Sequence, residues 1–176
     1  MTKKIVLIIA FQDFRDEEYF IPKSIFLGEG FEVKTASFKK GEAVGSYGGL
    51  AEVDLVLGDL NVNDFDAIVF VGGSGAARYF EDKNCLQIAK EAFSKNKVLA
   101  AICIAPAILA KSGILRDKKA TVWSSGLDKS VVKILKQEGA DYQEKPLVIE
   151  GKIITANGPA QARNFGEVIV RALRNE

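Results

Sequence analysis

Three short, wholly apolar segments constrain the fold of this 176-residue chain more than any other feature. They are residues 5–10 (IVLIIA), 67–71 (AIVFV) and 98–102 (VLAAI). Strands that are apolar along their whole length have both faces buried, which is typical of a parallel sheet covered by helices on both sides. The chain is therefore expected to form such a sheet.

Segments with helical spacing alternate with these strands. Three of them gather apolar side chains on one face, as amphipathic helices do. The faces consist of Leu86, Ala89, Ala92 and Phe93, of Leu127, Val131, Ile134 and Leu135, and, in a last helix over residues 160–174, of Phe165, Val168, Ile169, Ala172 and Leu173. This alternation predicts an α/β, doubly wound sandwich, and the absence of a linker or repeat predicts one domain over residues 1–176.

Two glycine-containing regions predict short hairpins. Residues 39–63 contain five glycines among short alternating segments, which favours hairpin strands at a sheet edge. Residues 147–150 and 152–156 flank Gly151 and predict a second, tighter hairpin. The expected sheet is therefore mostly parallel, with antiparallel additions.

The composition excludes several classes of function. Lys and Arg number 24 against 23 Asp and Glu, so the chain has no general attraction for nucleic acid or an anionic membrane. No apolar segment approaches the ~18 residues of a transmembrane helix, and the first one lacks the cleavage pattern of a signal peptide. Two unpaired cysteines suit a reducing compartment, so we expect a cytoplasmic protein.

The chain contains no histidine, and this restricts its chemistry further. A structural zinc site needs four thiolate or imidazole ligands, which two separated cysteines cannot supply. Neither G-x-G-x-x-G nor G-x-x-x-x-G-K-[ST] is present, and the acidic residues 16–18 (DEE) after the first strand would repel phosphate. We therefore expect neither a metal nor a cofactor.

Cys103 occupies a position that favours a reactive thiol. Residues 100–106 (AAICIAP) lead from the third apolar strand into a helix predicted over residues 105–111. The alanines two residues before and after the cysteine permit the sharp turn of a nucleophile elbow, and a helix N-terminus can lower the pKa of a thiol to about 3.5–7.5. An inert cysteine buried at a strand end is the alternative. Cys85, which has no such turn around it, is predicted to be structural.

Two further segments follow the apolar strands. The N–H groups of residues 72–75 (GGSG) could face a ligand oxygen, as an oxyanion hole requires, or the glycines could simply relieve strain in an ordinary turn. Glu17 and Glu18 fit a solvated helix start, where acidic residues are favoured by the dipole. Their spacing alone does not distinguish one from the other.

Four pieces of the sequence, in this order and spacing, resemble the ThiJ/PfpI family. They are Glu18 with Pro22 four residues later, the turn at residues 71–73 (VGG), residues 100–103 (AAIC) with Pro106, and residues 155–159 (TANGP). The resemblance covers essentially the whole chain. It implies a flavodoxin-like three-layer sandwich that forms homodimers or larger homo-oligomers.

The resemblance also implies an active site. Cys103 would be the reactive thiol, and Glu18, rather than Glu17, the acid whose carboxyl hydrogen-bonds it. A partly buried carboxyl would stay protonated and donate to the sulfur. The backbone N–H groups of Gly73 and Ile104 would form an oxyanion hole. The residues expected to line the pocket are Gly72, Trp123, Ser124, Asn157 and Pro159.

The sequence departs from the family where members carry histidine. Protease-like members have one directly after the cysteine, where this chain has Ile104, and deglycase-like members have one near the position of Trp123 or Ser124. Without histidine, neither one chain nor a homo-oligomer can form a cysteine–histidine pair. Because acyl transfer needs a base and a leaving-group acid, a cysteine peptidase or amidase is only the alternative interpretation.

Two functions that use the same residues are expected instead. One is thiol-dependent chemistry on small reactive aldehydes, of the glyoxalase or deglycase kind, which would make the protein a hydrolase or lyase. The other is a redox or stress response through oxidation of Cys103 to a sulfinate. A non-catalytic, chaperone-like module is a further alternative. The expected partner is a small carbonyl compound or an oxidant, with no nucleic acid and no membrane.

Overall fold

The structure, a computed structural model, describes residues 1–175, which form twelve strands and five α-helices. The strands are β1 (Lys4–Ile8), β2 (Gln12–Phe14), β3 (Glu32–Ser37), β4 (Gly41–Gly45), β5 (Leu50–Val53), β6 (Leu55–Val56), β7 (Ala67–Phe70), β8 (Val98–Ile102), β9 (Lys119–Ala120), β10 (Asp141–Tyr142), β11 (Leu147–Glu150) and β12 (Ile153–Ala156). The helices are α1 (Asp16–Gly28), α2 (Lys83–Ser94), α3 (Pro106–Lys111), α4 (Ser130–Gln137) and α5 (Ala162–Arg174).

Seven strands form the central sheet, in the order β11-β12-β8-β7-β1-β3-β6. The pairs from β12 to β6 are parallel, and β11 runs antiparallel to β12. The three apolar segments of the sequence form β1, β7 and β8, which lie side by side and are almost entirely buried. Because parallel strands end at the same edge of a sheet, the residues that follow these three strands come together there.

The helices form two groups on the sheet. α1 packs against α5, while α2 packs against α3 and α3 packs against α4. The apolar face predicted for the last helix is correct, since Phe165, Ile169 and Leu173 are buried. The predicted α/β three-layer sandwich is confirmed. Among residues 1–175, no helix has the length and apolar character needed to span a membrane.

The C-terminal segments follow their prediction closely. β11 and β12 form the hairpin around Gly151. The last helix begins at Ala162, two residues later than expected, because a 3-10 turn occupies Pro159–Gln161. β12 pairs with β8 and brings Ala156 beside Ile102, directly before the elbow cysteine.

Three details differ from the sequence prediction. The β4–β5 hairpin exists, but it pairs with β2 in a separate three-stranded sheet, and β6 forms the edge of the central sheet. Phe93 is 42% exposed, because α2 directs Cys85 and Ile88 toward the core instead. Leu127 is fully exposed, because α4 begins only at Ser130.

Candidate active site

Cys103 lies in a sharp turn between β8 and α3. Its φ angle is +65°, in the left-handed region that residues other than glycine seldom adopt. The Cys103 N–H donates to the Ala156 carbonyl at 2.9 Å, and the Cys103 carbonyl accepts from the Trp123 N–H at 2.8 Å. The turn therefore depends on β12 and on the segment after β9, both of which come later in the chain.

The three acidic residues that begin α1 have different environments. Asp16 accepts two hydrogen bonds from backbone N–H groups of the β4–β5 turn, both at 2.8 Å. Glu17 accepts a hydrogen bond from the Arg15 Nε at 2.8 Å, and this bond lowers the pKa of Glu17. Glu18 is fully buried. Burial thus separates Glu18 from Glu17, which sequence spacing could not do.

Burial also determines the protonation state of Glu18. Desolvation raises the pKa of its carboxyl to about 8, against the opposing effect of hydrogen bonding with Cys103 and Gly72. Its Oε2 accepts from the Gly72 N–H at 2.9 Å, whereas Oε1 has no hydrogen-bond partner within residues 1–175. At neutral pH the carboxyl is therefore mostly protonated, with the Cys103 thiol as its side-chain neighbour.

Gly72 packs tightly against the side chains of both Cys103 and Glu18. A Cβ at this position would lie 2.4 Å from the Cys103 Cβ, 2.5 Å from the Glu18 Oε2 and 2.7 Å from a backbone carbonyl oxygen of β8. Gly73 is equally constrained, because its φ is +102° and a Cβ there would lie 2.4 Å from the Arg15 backbone nitrogen. These close approaches explain why two glycines follow β7.

The backbone N–H groups of Gly73 and Ile104 both act on the Cys103 thiol and partly oppose the rise of its pKa. The structure thus brings the two predicted oxyanion donors together with Glu18 around one thiol. Such donors stabilise negative charge, either on the sulfur or on an oxygen bound beside it. Their role as an oxyanion hole stays a prediction.

The predicted lowering of the Cys103 pKa is wrong in direction. Burial, followed by the charge of an ionised Glu18, raises the pKa of this thiol to about 12. The neighbouring N–H groups lower it by less, and α3 is a six-residue helix that begins three positions after the thiol. The helix terminus therefore does not offset desolvation. Burial also raises the pKa of Cys85, which is fully enclosed.

Glu18→Gln is expected to lower the pKa of Cys103. The amide removes the carboxylate charge that opposes the thiolate, and it keeps an acceptor for the Gly72 N–H. The pKa can be measured from the pH dependence of iodoacetamide alkylation in a Cys85→Ser background. Glu17→Gln, which changes a partly exposed neighbour, should leave the thiol pKa unchanged. A thiol pKa in Glu18→Gln at or above that of the parent would contradict this electrostatic explanation.

Cys103 lines a cavity of about 480 Å³, and three other predicted residues line it too. They are Gly73, Ile104 and Trp123. The side chains of Ile104 and Trp123 offer no proton acceptor at neutral pH, so this part of the cavity cannot act as a base. Within residues 1–175, no group of three or more Cys, Asp or Glu side chains is arranged to hold a metal ion.

Two charged residues of this cavity, Arg15 and Asp128, were not identified from the sequence. Arg15 follows β2, and its backbone N–H donates to the Gly72 carbonyl at 2.9 Å. Asp128 precedes α4 and accepts from the Ser130 N–H at 2.8 Å. Neither belongs to a recognisable pattern, since a three-residue strand and a loop bring them to the cavity. No local signal could have indicated their position.

Four residues predicted to line the pocket do not line this cavity, and one of them, Gly72, packs against the Cys103 and Glu18 side chains instead. Ser124 and Asn157 line a neighbouring cavity of about 500 Å³, and Pro159 lines neither of the two. Trp123 and Ser124 are adjacent in sequence but face different cavities. Of these two candidates for the position of the family histidine, Trp123 is therefore the one beside the thiol.

Residues 3–172 match the DJ-1/PfpI family, which leaves only a few residues at either end outside the match. This chain belongs to the DJ-1/PfpI family. The resemblance to ThiJ/PfpI proteins, which rests on Glu18, the glycine turn, the elbow cysteine and residues 155–159, is thereby confirmed.

Several DJ-1/PfpI relatives are similar to this chain over most of its length. An uncharacterised protein of Methanocaldococcus jannaschii is 40% identical over 171 residues, which cover 97% of this chain and 82% of that protein. A deglycase of Pyrococcus abyssi is 31% identical over 169 residues, which cover 96% and 99% of the two chains. The crystal structure of a ThiJ/PfpI domain protein from Brachyspira murdochii superposes with a TM-score of 0.94 at 31% identity, covering 99% and 98%.

Proposed function

We propose that the protein performs thiol-dependent chemistry on small reactive aldehydes, with Cys103 as its nucleophile. The observation that carries this proposal is the set of groups around the thiol, which comprises a protonated Glu18 carboxyl and two backbone N–H groups. A nucleophile, a proton donor and oxyanion donors are what addition to a carbonyl requires. The relative from Pyrococcus abyssi, which is named a deglycase, supports a deglycase-like function.

The first step is addition of the Cys103 sulfur to the aldehyde carbon. A sulfur–carbon bond forms, the carbon–oxygen double bond becomes single, and the developing oxyanion accepts from the N–H groups of Gly73 and Ile104. The thiol proton passes to Glu18 while the Glu18 proton passes to the oxygen, so the product is a neutral hemithioacetal. Because the pKa of the thiol is about 12, this exchange avoids forming a free thiolate.

A 2-oxoaldehyde bound in this way can be converted to a 2-hydroxy acid by the same groups. The former aldehyde carbon loses its hydrogen as a proton while the ketone oxygen gains one, which gives an enediol. The former ketone carbon then gains a proton while the hydroxyl on the former aldehyde carbon loses one, which gives a thioester. One carbon is thereby oxidised and the other reduced, without an external redox partner, and water then hydrolyses the resulting thioester. Glu18 is the carboxyl beside the thiol. We assign both exchanges to it, because a protonated carboxyl can give a proton from one oxygen while its other oxygen takes one.

A peptidase has less support from the same residues. Amide cleavage needs a base and an acid for the leaving amine, and the chain has no histidine to provide them. The pKa of about 8 also keeps Glu18 mostly protonated at neutral pH, so it is a poor base there. Cys103 is only 9% exposed, which suits a small molecule better than a polypeptide segment.

Cys103→Ser is expected to abolish consumption of methylglyoxal by the reduced protein, by at least about 100-fold, because the nucleophile is lost. The remaining aldehyde can be measured by derivatisation with dinitrophenylhydrazine. Cys85→Ser is the matched control, since it removes the other thiol, which does not line the cavity, and should keep the activity. Activity that survives in Cys103→Ser would refute the proposal. Cleavage of casein that depends on Cys103 would favour the peptidase instead.

Oxidation of Cys103 by peroxide is a second candidate, and the protonated Glu18 carboxyl favours it as well. One peroxide molecule converts the thiol to a sulfenic acid and a second converts that to a sulfinic acid, each with release of water. An oxygen of the sulfinate would then accept a hydrogen bond from Glu18. A mass gain of two oxygen atoms at Cys103, with no aldehyde consumption by the reduced protein, would favour this function over the first.

A further inference from the structure

The cavity of Cys103 contains charges that aldehyde addition does not use. Of the described residues that line it, Arg15 and Asp128 are the two with a formal charge. The 2-oxoaldehyde methylglyoxal carries no charge, so it would make no ion pair with either. A charged group on the natural substrate would.

Arg15 is the charged residue whose backbone contacts the two glycines beside the thiol and the carboxyl. Its backbone N–H donates to the Gly72 carbonyl at 2.9 Å, and its backbone nitrogen lies against Gly73. Its positive charge acts on the carboxyl of Glu18. Asp128 is exposed, and its charge is not among the main influences on either Glu18 or Cys103. Of these two charged residues, Arg15 is therefore the one that acts on the carboxyl beside the thiol.

The guanidinium of Arg15 is paired with the Glu17 carboxylate, but among the described residues some of its N–H donors have no partner. Its Nε and Nη2 donate to the Glu17 carboxylate at 2.8 Å and 3.2 Å, and its carbon lies 4.7 Å from the centre of the Tyr47 ring. Within residues 1–175, Nη1 makes no hydrogen bond to protein, and the side chain is 30% exposed. Because guanidinium has five N–H donors, a second carboxylate can bind at the unpaired edge.

We infer that Arg15 is a specificity-determining residue that binds a carboxylate on the substrate, so the site prefers aldehydes with an acid group. One such compound is 4,5-dioxopentanoate, a 2-oxoaldehyde with a carboxylate at its far end, and methylglyoxal is a counterpart without the acid group. This inference rests on the proposed aldehyde chemistry for its substrate class. The anion recognition itself can be tested without any turnover.

The test compares alkylation of Cys103 by iodoacetate and by iodoacetamide, which differ in charge but hardly in size. Rates are followed by intact mass in a Cys85→Ser background and are divided by those of glutathione under the same conditions. Arg15→Gln should reduce the iodoacetate-to-iodoacetamide ratio about tenfold, which is the size of a charge-assisted hydrogen bond. It should leave the iodoacetamide rate within about twofold, which also reports that the site is folded.

Two reciprocal variants sharpen the test. Glu17→Gln releases Arg15 from its partner and should raise the ratio, and Asp128→Asn should raise it by less, since that carboxylate is exposed. An unchanged ratio in Arg15→Gln would overturn the inference. Equal slowing of both reagents would overturn it too, because Arg15 would then act on the thiol rather than on the charge of the reagent.

Aldehyde turnover separates this inference from the proposed function. Preferential consumption of 4,5-dioxopentanoate over methylglyoxal, lost in Arg15→Gln, supports both. Consumption of both aldehydes at equal rates, with an unchanged haloacetate ratio, overturns the inference and leaves the proposed function standing. A haloacetate ratio that depends on Arg15, without consumption of any aldehyde, supports anion recognition and refutes the aldehyde chemistry.

Discussion

As the pH rises from about 4.5 to about 8, the free energy of unfolding of the parent protein is expected to fall by on the order of 5 kcal/mol relative to that of Glu18→Gln. The carboxyl pKa of Glu18 is about 8 in the folded protein against 4.5 for an ordinary glutamate. In this window the folded state holds a proton that the unfolded state releases. The stabilisation is complete below pH 4.5 and is lost as the pH rises through 8.

This expectation can be measured by urea unfolding of the parent and Glu18→Gln proteins at several pH values. The quantity of interest is the difference between their free energies of unfolding, because it cancels the titration of all other groups. Glu17→Gln is the matched control. Because the pKa of Glu17 is lowered in the folded protein, the contribution of Glu17 to stability changes with pH only below about pH 4.5 and stays constant in this window. A pH-independent difference between parent and Glu18→Gln would show that Glu18 is ionised in the folded protein.

Gly72→Ala is expected to destabilise the protein by about 3 kcal/mol or more, and to displace the thiol or the carboxyl. The added Cβ would lie 2.4 Å from the Cys103 Cβ and 2.5 Å from the Glu18 Oε2. A backbone carbonyl of β8 is also within 2.7 Å, so the strand itself prevents a simple relaxation. The hydrogen bond from the Gly72 N–H to Glu18 would be strained as well.

Unfolding in urea and the rate of Cys103 alkylation by iodoacetamide together test this expectation. Gly28→Ala provides the matched control, because a Cβ at the end of α1 would meet no atom within 4 Å. That variant should have parental stability or slightly more. A parental urea midpoint together with a parental alkylation rate in Gly72→Ala would contradict the close packing of Gly72 against the Cys103 and Glu18 side chains.

The central strands were predictable because burial on both faces leaves a local trace in the sequence. β1, β7 and β8 are continuous apolar runs for this reason. β3 was missed, although it pairs with β1, because Lys34 and Thr35 interrupt its apolar character and its first half is only partly buried. Segments near a sheet edge mix polar and apolar residues, so periodicity reveals them poorly.

The candidate site was predictable only in part. Cys103 could be located from the residues around it, because a strand, a turn and a helix follow one another directly there. The choice of Glu18 over Glu17 needed the family resemblance, since it depends on which side chain α1 turns inward. The direction of the thiol pKa was missed because sequence indicates a helix terminus but not the depth of burial. Arg15 and Asp128 reach the cavity through tertiary contacts alone.

The bond from the Cys103 N–H to the Ala156 carbonyl has a consequence for biosynthesis. The ribosome delivers residue 103 more than fifty residues before the strand that fixes its backbone, and β12 must insert beside β8 to complete the turn. While β12 is still inside the ribosomal exit tunnel, Cys103 lacks the hydrogen bond to Ala156 and the neighbouring strand that fix its turn. The thiol therefore acquires its special environment only late in translation, when most of the sheet is already available to fold.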